Sequence, residues 1–240
     1  MRAGEVSYRA HAAGPCPDLT NDLRNPVTMP RMTNAKTTVG ILAICMLGMA
    51  RICRGQASDG TVTNGVYHST YFEFRLPLPK GAVIAGRAEN TNFLETGAET
   101  LAGSKPDLKK EMVSRTAVLL TASKFPLDSG EEGQWVINIS AERLQGNSEG
   151  KTGEDYLRVV KDVLEASKKP YTFNFSTKPV MLCGVAFYEM TVKDESPPSP
   201  TYFRMLCALR KGYGLLIGIT AEEMASIREL DGSLAKMSFK

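Results

Sequence analysis

Apolar positions along the chain follow two periods. In "GQWVINISAERL" (133–144), Trp135, Ile137 and Ile139 alternate with polar residues and share one face, the period-two pattern of a half-buried strand. "YTFNFS" (171–176) does the same with Tyr171, Phe173 and Phe175. "TAVLLTASKFP" (116–126) is strand-like and is joined to 133–144 by "LDSGEEG", which predicts an antiparallel hairpin with a long loop. "LCGVAFYEMTVK" (182–193) and "TYFRMLCALRK" (201–211) form a second predicted hairpin around "DESPPSP". A turn at Lys211-Gly212-Tyr213 leads into a further strand, "GLLIGIT" (214–220). Two segments carry the helical period instead. Tyr156, Val159, Val160, Val163 and Leu164 form one stripe, and Met224, Ile227, Leu230 and Leu234 another. Thr220 and Glu223 have the spacing of a capping box for the second helix, and Asp231-Gly232 is expected to kink or break it.

Upstream the signals are sparser. "SDGTVTNG" (58–65) is polar and contains glycine, which suggests a linker. Tyr71 to Leu78 has strand formers, and Pro77 and Pro79 force an extended edge or exit. Gly81 supplies a turn, and "AVIAG" (82–86) is a short strand candidate. Residues 87–104 are polar without a clear period. "SKPDLKKEMVSR" (104–115) suits a short helix, with Pro106 near its start and basic residues later. Strands come mostly in adjacent hairpins. The expected fold class is therefore α+β, one domain over 58–240, an antiparallel sheet with one face covered by helices.

The first 57 residues do not fit that domain. "VGILAICMLGMA" (39–50) is short, apolar and uncharged, with Arg31 and Lys36 before it and small residues around Ala57 after it. That is the layout of a secretory signal peptide over about 31–57, implying a secreted or periplasmic protein. As a helix it rises about 18 Å, short of the roughly 30 Å hydrocarbon core, so no stable membrane span remains after cleavage. An uncleaved anchor at 39–50 is the alternative; Arg51 and Arg54 are untypical of a cleavage region. Met29 and Met32 are each better placed to begin the signal than Met1. Ile44 before Cys45 and Ile52 before Cys53 argue against a lipoprotein.

The leader also carries the basic charge. It holds 7 of the 29 Lys+Arg and 3 of the 26 Asp+Glu, which leaves 58–240 at a net charge of −1. Electrostatics therefore offer no case for nucleic acid. Two of the 5 cysteines, Cys183 and Cys207, lie beyond the leader. A symmetric hairpin centred near residue 197 places Cys207 opposite Phe187 and Cys183 opposite Lys211. The cysteines are then about 13 Å apart along the strand, beyond the roughly 7 Å that a disulfide spans. Two free, half-buried thiols are expected.

"LQGNSEGKTGEDYLRVV" (144–160) raises the question of a nucleotide. A phosphate loop needs G-x-x-x-x-G-K-[ST] after a strand of a parallel sheet. Here Gly146 stands one residue too close to Gly150-Lys151-Thr152, and the preceding strand is half of a hairpin. A structural role covers the same residues: Thr152 as N-cap, Asp155 closing a capping box, and Glu154 at the positive end of the helix dipole.

Chemistry elsewhere is thin. His68 is the one histidine beyond the leader, and no H-E-x-x-H or C-x-x-C occurs. Glu131-Glu132 suits a solvated loop and Glu222-Glu223 a first helical turn. Asn138 and Asn174 match glycosylation acceptors but fall in expected strands. No catalytic, cofactor-binding or metal-binding residue is assigned, and no cofactor is expected.

Short motifs over 66–240 resemble the PsbP-like family. "YFEFRLPLPKG" resembles its opening strand with P-x-G, and "EDYLRVVKDVL" its central helix. "CGVAFYEMTVK…TYFRMLCALRKGYGLLIGITA" resembles its hairpin and following strand, and "MASIRELDGSLAKMSF" its last helix. The family shares its fold with a nuclear Ran-binding factor and with some bacterial periplasmic lipoproteins. The resemblance implies a sheet flanked by helices and binding roles without catalysis, with no shared catalytic residues to carry over. Segment 87–115 is longer than the family's usual connection.

The expected function is an exported, non-catalytic binding or assembly module whose partner is a protein or an apolar ligand. The loops 87–104 and 194–200 are its candidate contact sites. The alternative is an exported hydrolase or a carrier of small apolar ligands.

Overall fold

A computed structural model describes residues 60–102, 106–144, 152–167 and 169–240. The expected leader and the glycines of 145–150, with Lys151, lie outside the described residues, as do Ser58 and Asp59.

The architecture is α+β, built on antiparallel pairing throughout. Strands β4 (Val83–Ile84), β5 (Thr116–Ser123), β6 (Trp135–Arg143), β11 (Tyr213–Ala221), β10 (Thr201–Arg210), β9 (Val185–Asp194) and β7 (Tyr171–Phe175) lie side by side in that order. The short β8 (Val180–Leu182) pairs the start of β9 beside β7. A second sheet contains β1 (Gly60–Thr63), β2 (Val66–Ser69), β3 (Phe74–Pro77) and β12 (Ser238–Phe239).

Alternation along β6 divides the core. Trp135, Ile137, Ile139 and Ala141 face the small sheet, where Tyr67, Phe74 and Leu76 meet them together with Ile227, Leu230 and Leu234 of two short helices, α4 (Met224–Arg228) and α5 (Asp231–Leu234). The opposite face carries α3 (Gly153–Ala166), whose Tyr156, Leu157, Val160 and Leu164 pack on Met190, Phe203, Met205 and Cys207. Helix therefore covers one face, as the sequence leads one to expect, and the small sheet with α4 and α5 covers the other. The second layer is a sheet whose strands are too short to announce themselves. The α3 stripe also turns slightly from expectation: Leu157 is buried, while Val159 and Val163 are half-buried.

Several local readings change with it. The expected linker contains β1, and Asn64-Gly65 is a two-residue hairpin turn with φ of 51° and 72°, the geometry that Asn-Gly favours. The expected strand from Tyr71 to Leu78 begins only at Phe74. Residues 70–73 turn, with the Phe72 amide donating to Ser69 Oγ at 3.2 Å. The expected loop 87–104 is largely a helix, α1 (Arg87–Ala102), followed by α2 (Pro106–Arg115). Phe93, Leu94, Gly97, Ala98 and Ala102 of α1 are buried. Its stripe is made mostly of small residues, which a hydrophobic count misses. Thr220 lies in β11 and does not cap α4; Glu223 is the N-cap, without a side-chain cap bond. The expected break comes earlier, at Glu229 and Leu230, and Asp231 and Gly232 open α5.

The second hairpin is shifted by one residue. Thr201 pairs with Asp194 and Cys207 with Tyr188. Phe187 therefore points into the small-sheet side and Cys207 into the α3 side, the face reversal that a one-residue slip imposes. Cys183 is not in a strand. Cys183-Gly184 is the turn between β8 and β9, with φ of 44° and 83°. Both thiols are free, as expected; Cys183 is half-buried, but Cys207 is fully buried.

Candidate functional site

The start of α3 carries the cap expected from the sequence. Thr152 Oγ1 accepts from the Asp155 amide at 3.2 Å and Asp155 Oδ2 accepts from the Thr152 amide at 3.0 Å, a complete capping box. Gly153 lies against the main-chain carbonyl of Cys207, where a β-carbon has no room. These residues seat a helix on a strand.

A buried polar cluster pins the same region. The Tyr156 hydroxyl donates to Glu142 Oε2 at 2.6 Å, and Arg115 lies 3.5 Å from Glu142 while donating to the Arg143 carbonyl at 2.9 Å. Glu142 and Arg115 are both buried, so each needs the other. The cluster ties α2 and α3 to β6. Burial, reinforced by the Glu142 charge, pushes the Cys207 thiol far above the ordinary range, which keeps it protonated and unreactive.

A concavity lies at the other end of the sheet. The loop after β5 folds over the ends of β6, β11 and β10 and encloses a cavity of about 380 Å³, within the usual range for ligand sites. Leu127, Ser129 and Gly130 come from the loop, Thr201 from β10, and Thr220 and Ala221 from β11. Asp128 and Glu131 stand on the loop side and Glu222 on the β11 side. Asp128 and Glu131 are exposed; Glu222 is half-buried.

Specific bonds hold that loop. The Gln134 side chain is 8% exposed. Its Oε1 accepts from the Phe125 amide at 2.9 Å, and its Nε2 donates to the Phe125 carbonyl at 2.9 Å. Ser123 Oγ donates to the Phe125 carbonyl at 2.6 Å, and the Ser129 amide to Pro126 at 3.0 Å. Gly130 and Gly133 take φ of 67° and 72°, conformations that glycine adopts without steric cost. Glu229 of α4 reaches back to Lys124 at 3.0 Å and to Trp135 Nε1 at 3.2 Å. The rim is therefore pre-shaped by bonds from two directions.

Thr220 also lines a second, much smaller hollow, where Asn138 and Gly218 meet Phe93 of α1 and Phe203. Asn138 Nδ2 donates to Thr121 Oγ1 at 2.9 Å.

The sequence-level contact sites fare unequally. Most of the 87–104 segment is the helix α1, which contributes Phe93 to the smaller hollow. The Pro-rich stretch runs directly into Thr201 on the cavity wall. Glu131, read as a solvated loop residue, is a rim carboxylate. Glu222, placed in a first helical turn, instead follows β11 at the rim. Gln134 was not singled out; the two glycines in "SGEEGQ" were the signal that this loop adopts a defined turn. His68 sits half-buried on β2 and lines neither hollow. Among the described residues, no group of three His, Cys, Asp or Glu is arranged to hold a metal ion. No described helix is long and apolar enough to cross a membrane.

No protein-family profile and no curated protein sequence matches the chain. Its fold is similar to that of cyanobacterial PsbP (CyanoP) from Synechocystis sp. PCC 6803, with a TM-score of 0.45 at 9% identity over 80% of this chain and 99% of that one. It is also similar to LpqN, involved in cell envelope biogenesis of Mycobacterium tuberculosis, with a TM-score of 0.40 at 11% identity over 70% of this chain and 83% of that one. Both likenesses are of fold.

Proposed function

We propose that residues 58–240 act as one exported, non-catalytic binding module that holds a segment of a partner polypeptide in the cavity between the 124–134 loop and the ends of β10 and β11. One observation carries this reading. The cavity has a rim braced by Gln134 and Glu229, and its wall combines apolar and hydrogen-bonding groups. A pre-shaped rim lowers the ordering cost of binding. Neither described cysteine lines it: Cys207 is buried under α3, and Cys183 donates its thiol proton to the Met237 carbonyl at 2.6 Å. His68, which the hydrolase alternative would use as its base, does not line the cavity.

Two experiments test this. A short-peptide library screened on the full-length protein is expected to enrich sequences that are lost on Thr201→Trp, which fills the cavity. Equal enrichment on both proteins, or none on either, counts against the site. Fractionation of expressing cells is expected to recover the protein outside the cytoplasm without residues 1–57. Full-length protein retained inside overturns the export reading.

A further inference from the structure

Building on the binding role proposed for the cavity, we infer that its occupant is a basic peptide segment, which places one Lys or Arg side chain across the cavity mouth. The charged groups on the wall are Asp128, Glu131 and Glu222, and no Lys or Arg joins them. They flank the opening from two elements, the loop and the end of β11. The described residues place no cation in an ion pair with any of the three. The adjacent Lys124 is already held by Glu229. This local surplus does not follow from bulk composition, since 58–240 is almost neutral. Between the carboxylates, Leu127 and Ala221 offer apolar surface.

That combination matches an amphipathic cation. A Lys or Arg stem covers apolar surface while its head stays near water. Carboxylates at a partly exposed mouth attract the head without the desolvation cost of a buried pair. A neutral apolar ligand would leave three clustered like charges at the mouth uncompensated. An anionic ligand would be repelled by them. The remaining polar wall, Thr201 and Thr220, offers hydroxyls to a peptide main chain.

The test uses the full-length protein and a fluorescein-labelled peptide with a Leu-Arg-Leu centre, against the same peptide with citrulline in place of arginine. Citrulline keeps the shape and removes the charge. Fluorescence anisotropy at about 20 mM salt is expected to show the arginine peptide binding about tenfold tighter. The gap should shrink at about 0.5 M salt, where such pairs are screened. In a D128N/E131Q/E222Q variant, shown folded by circular dichroism, the two peptides should bind alike. Equal binding of both peptides to the unmodified protein, lost on Thr201→Trp, overturns the charge inference and leaves the binding cavity standing. Absence of binding by both overturns the inference together with the cavity reading. A preference for arginine that survives the triple substitution also overturns it, because the charge recognised is then elsewhere.

Discussion

Gly153, the first residue of α3, packs against the Cys207 carbonyl so closely that the position tolerates no β-carbon. A few residues on, Tyr156 lies against Gly214, where an added β-carbon would meet the ring at 3.0 Å. The helix start is therefore fitted to the sheet at two glycines. Gly153→Ala is expected to lower stability by about 3 kcal/mol, since neither the strand main chain nor the capped helix end can move freely. Urea denaturation followed by circular dichroism measures it; a change below about 0.5 kcal/mol would show that the contact relaxes at little cost.

The Arg115–Glu142 pair gives a second expectation. Arg115→Ala leaves a buried carboxylate without its cation and should cost about 4 kcal/mol. Replacing both members by apolar residues, Arg115→Met with Glu142→Leu, together with Tyr156→Phe to remove the hydroxyl that Glu142 accepts from, should recover much of that loss. If that triple variant is no more stable than Arg115→Ala, the pair is not where the cost arises.

Rigidity of the cavity rim rests on Gln134. Gln134→Ala removes the acceptor of the Phe125 amide and the donor to its carbonyl, a loss of about 2 kcal/mol. Amide hydrogen exchange across 124–133 is expected to accelerate more than exchange in β9 or β10. Uniform acceleration over the whole chain would point to global destabilisation instead.

At alkaline pH the buried tyrosines weaken the fold. Burial pushes the Tyr67 hydroxyl up to about 12, with Ser69 acting in the opposite direction. Burial and the Asp194 charge push Tyr171 up to about 12 as well. An unfolded tyrosine ionises near 10, so between about pH 10 and 12 the unfolded chain has released protons that the folded chain retains. Stability is then fully present below pH 10 and falls as pH rises toward 12. Tyr67→Phe should flatten that fall; an unchanged pH profile in this variant would remove Tyr67 from the account.

Thiol reactivity separates the two cysteines. Alkylation of native full-length protein, mapped by mass spectrometry, should label Cys183 well before Cys207. Half-exposure leaves Cys183 accessible, whereas Cys207 is fully buried with its ionisation suppressed. Both should label in denaturant.

Legibility in the sequence followed the strength of each local signal. β6 and β7 were readable because large side chains alternate, and the α3 start was readable because Thr152 and Asp155 have cap chemistry. α1 was not, because Gly97, Ala98 and Ala102 form a buried stripe without scoring as hydrophobic. The Asn64-Gly65 hairpin was overlooked although its turn residues were present, since β1 is exposed and shows no alternation. Of the cavity, "SGEEGQ" disclosed a turn; its closure over Thr201 and Thr220 was invisible, because those positions are about 70 to 90 residues away in the chain.

What the sequence determined by itself were the elements whose signals are local: alternating strands, the capped helix, glycine turns, and a nearly neutral stretch 58–240 after a basic first 57 residues. Tertiary structure alone decided which elements meet. A hairpin register set one residue away from the symmetric guess sent Phe187 and Cys207 to opposite faces, and long-range strand pairing carried Glu222 and Thr201 to the 127–131 loop. Side-chain period and cap chemistry act over a few residues, whereas register and layer contact depend on how whole faces bury against each other.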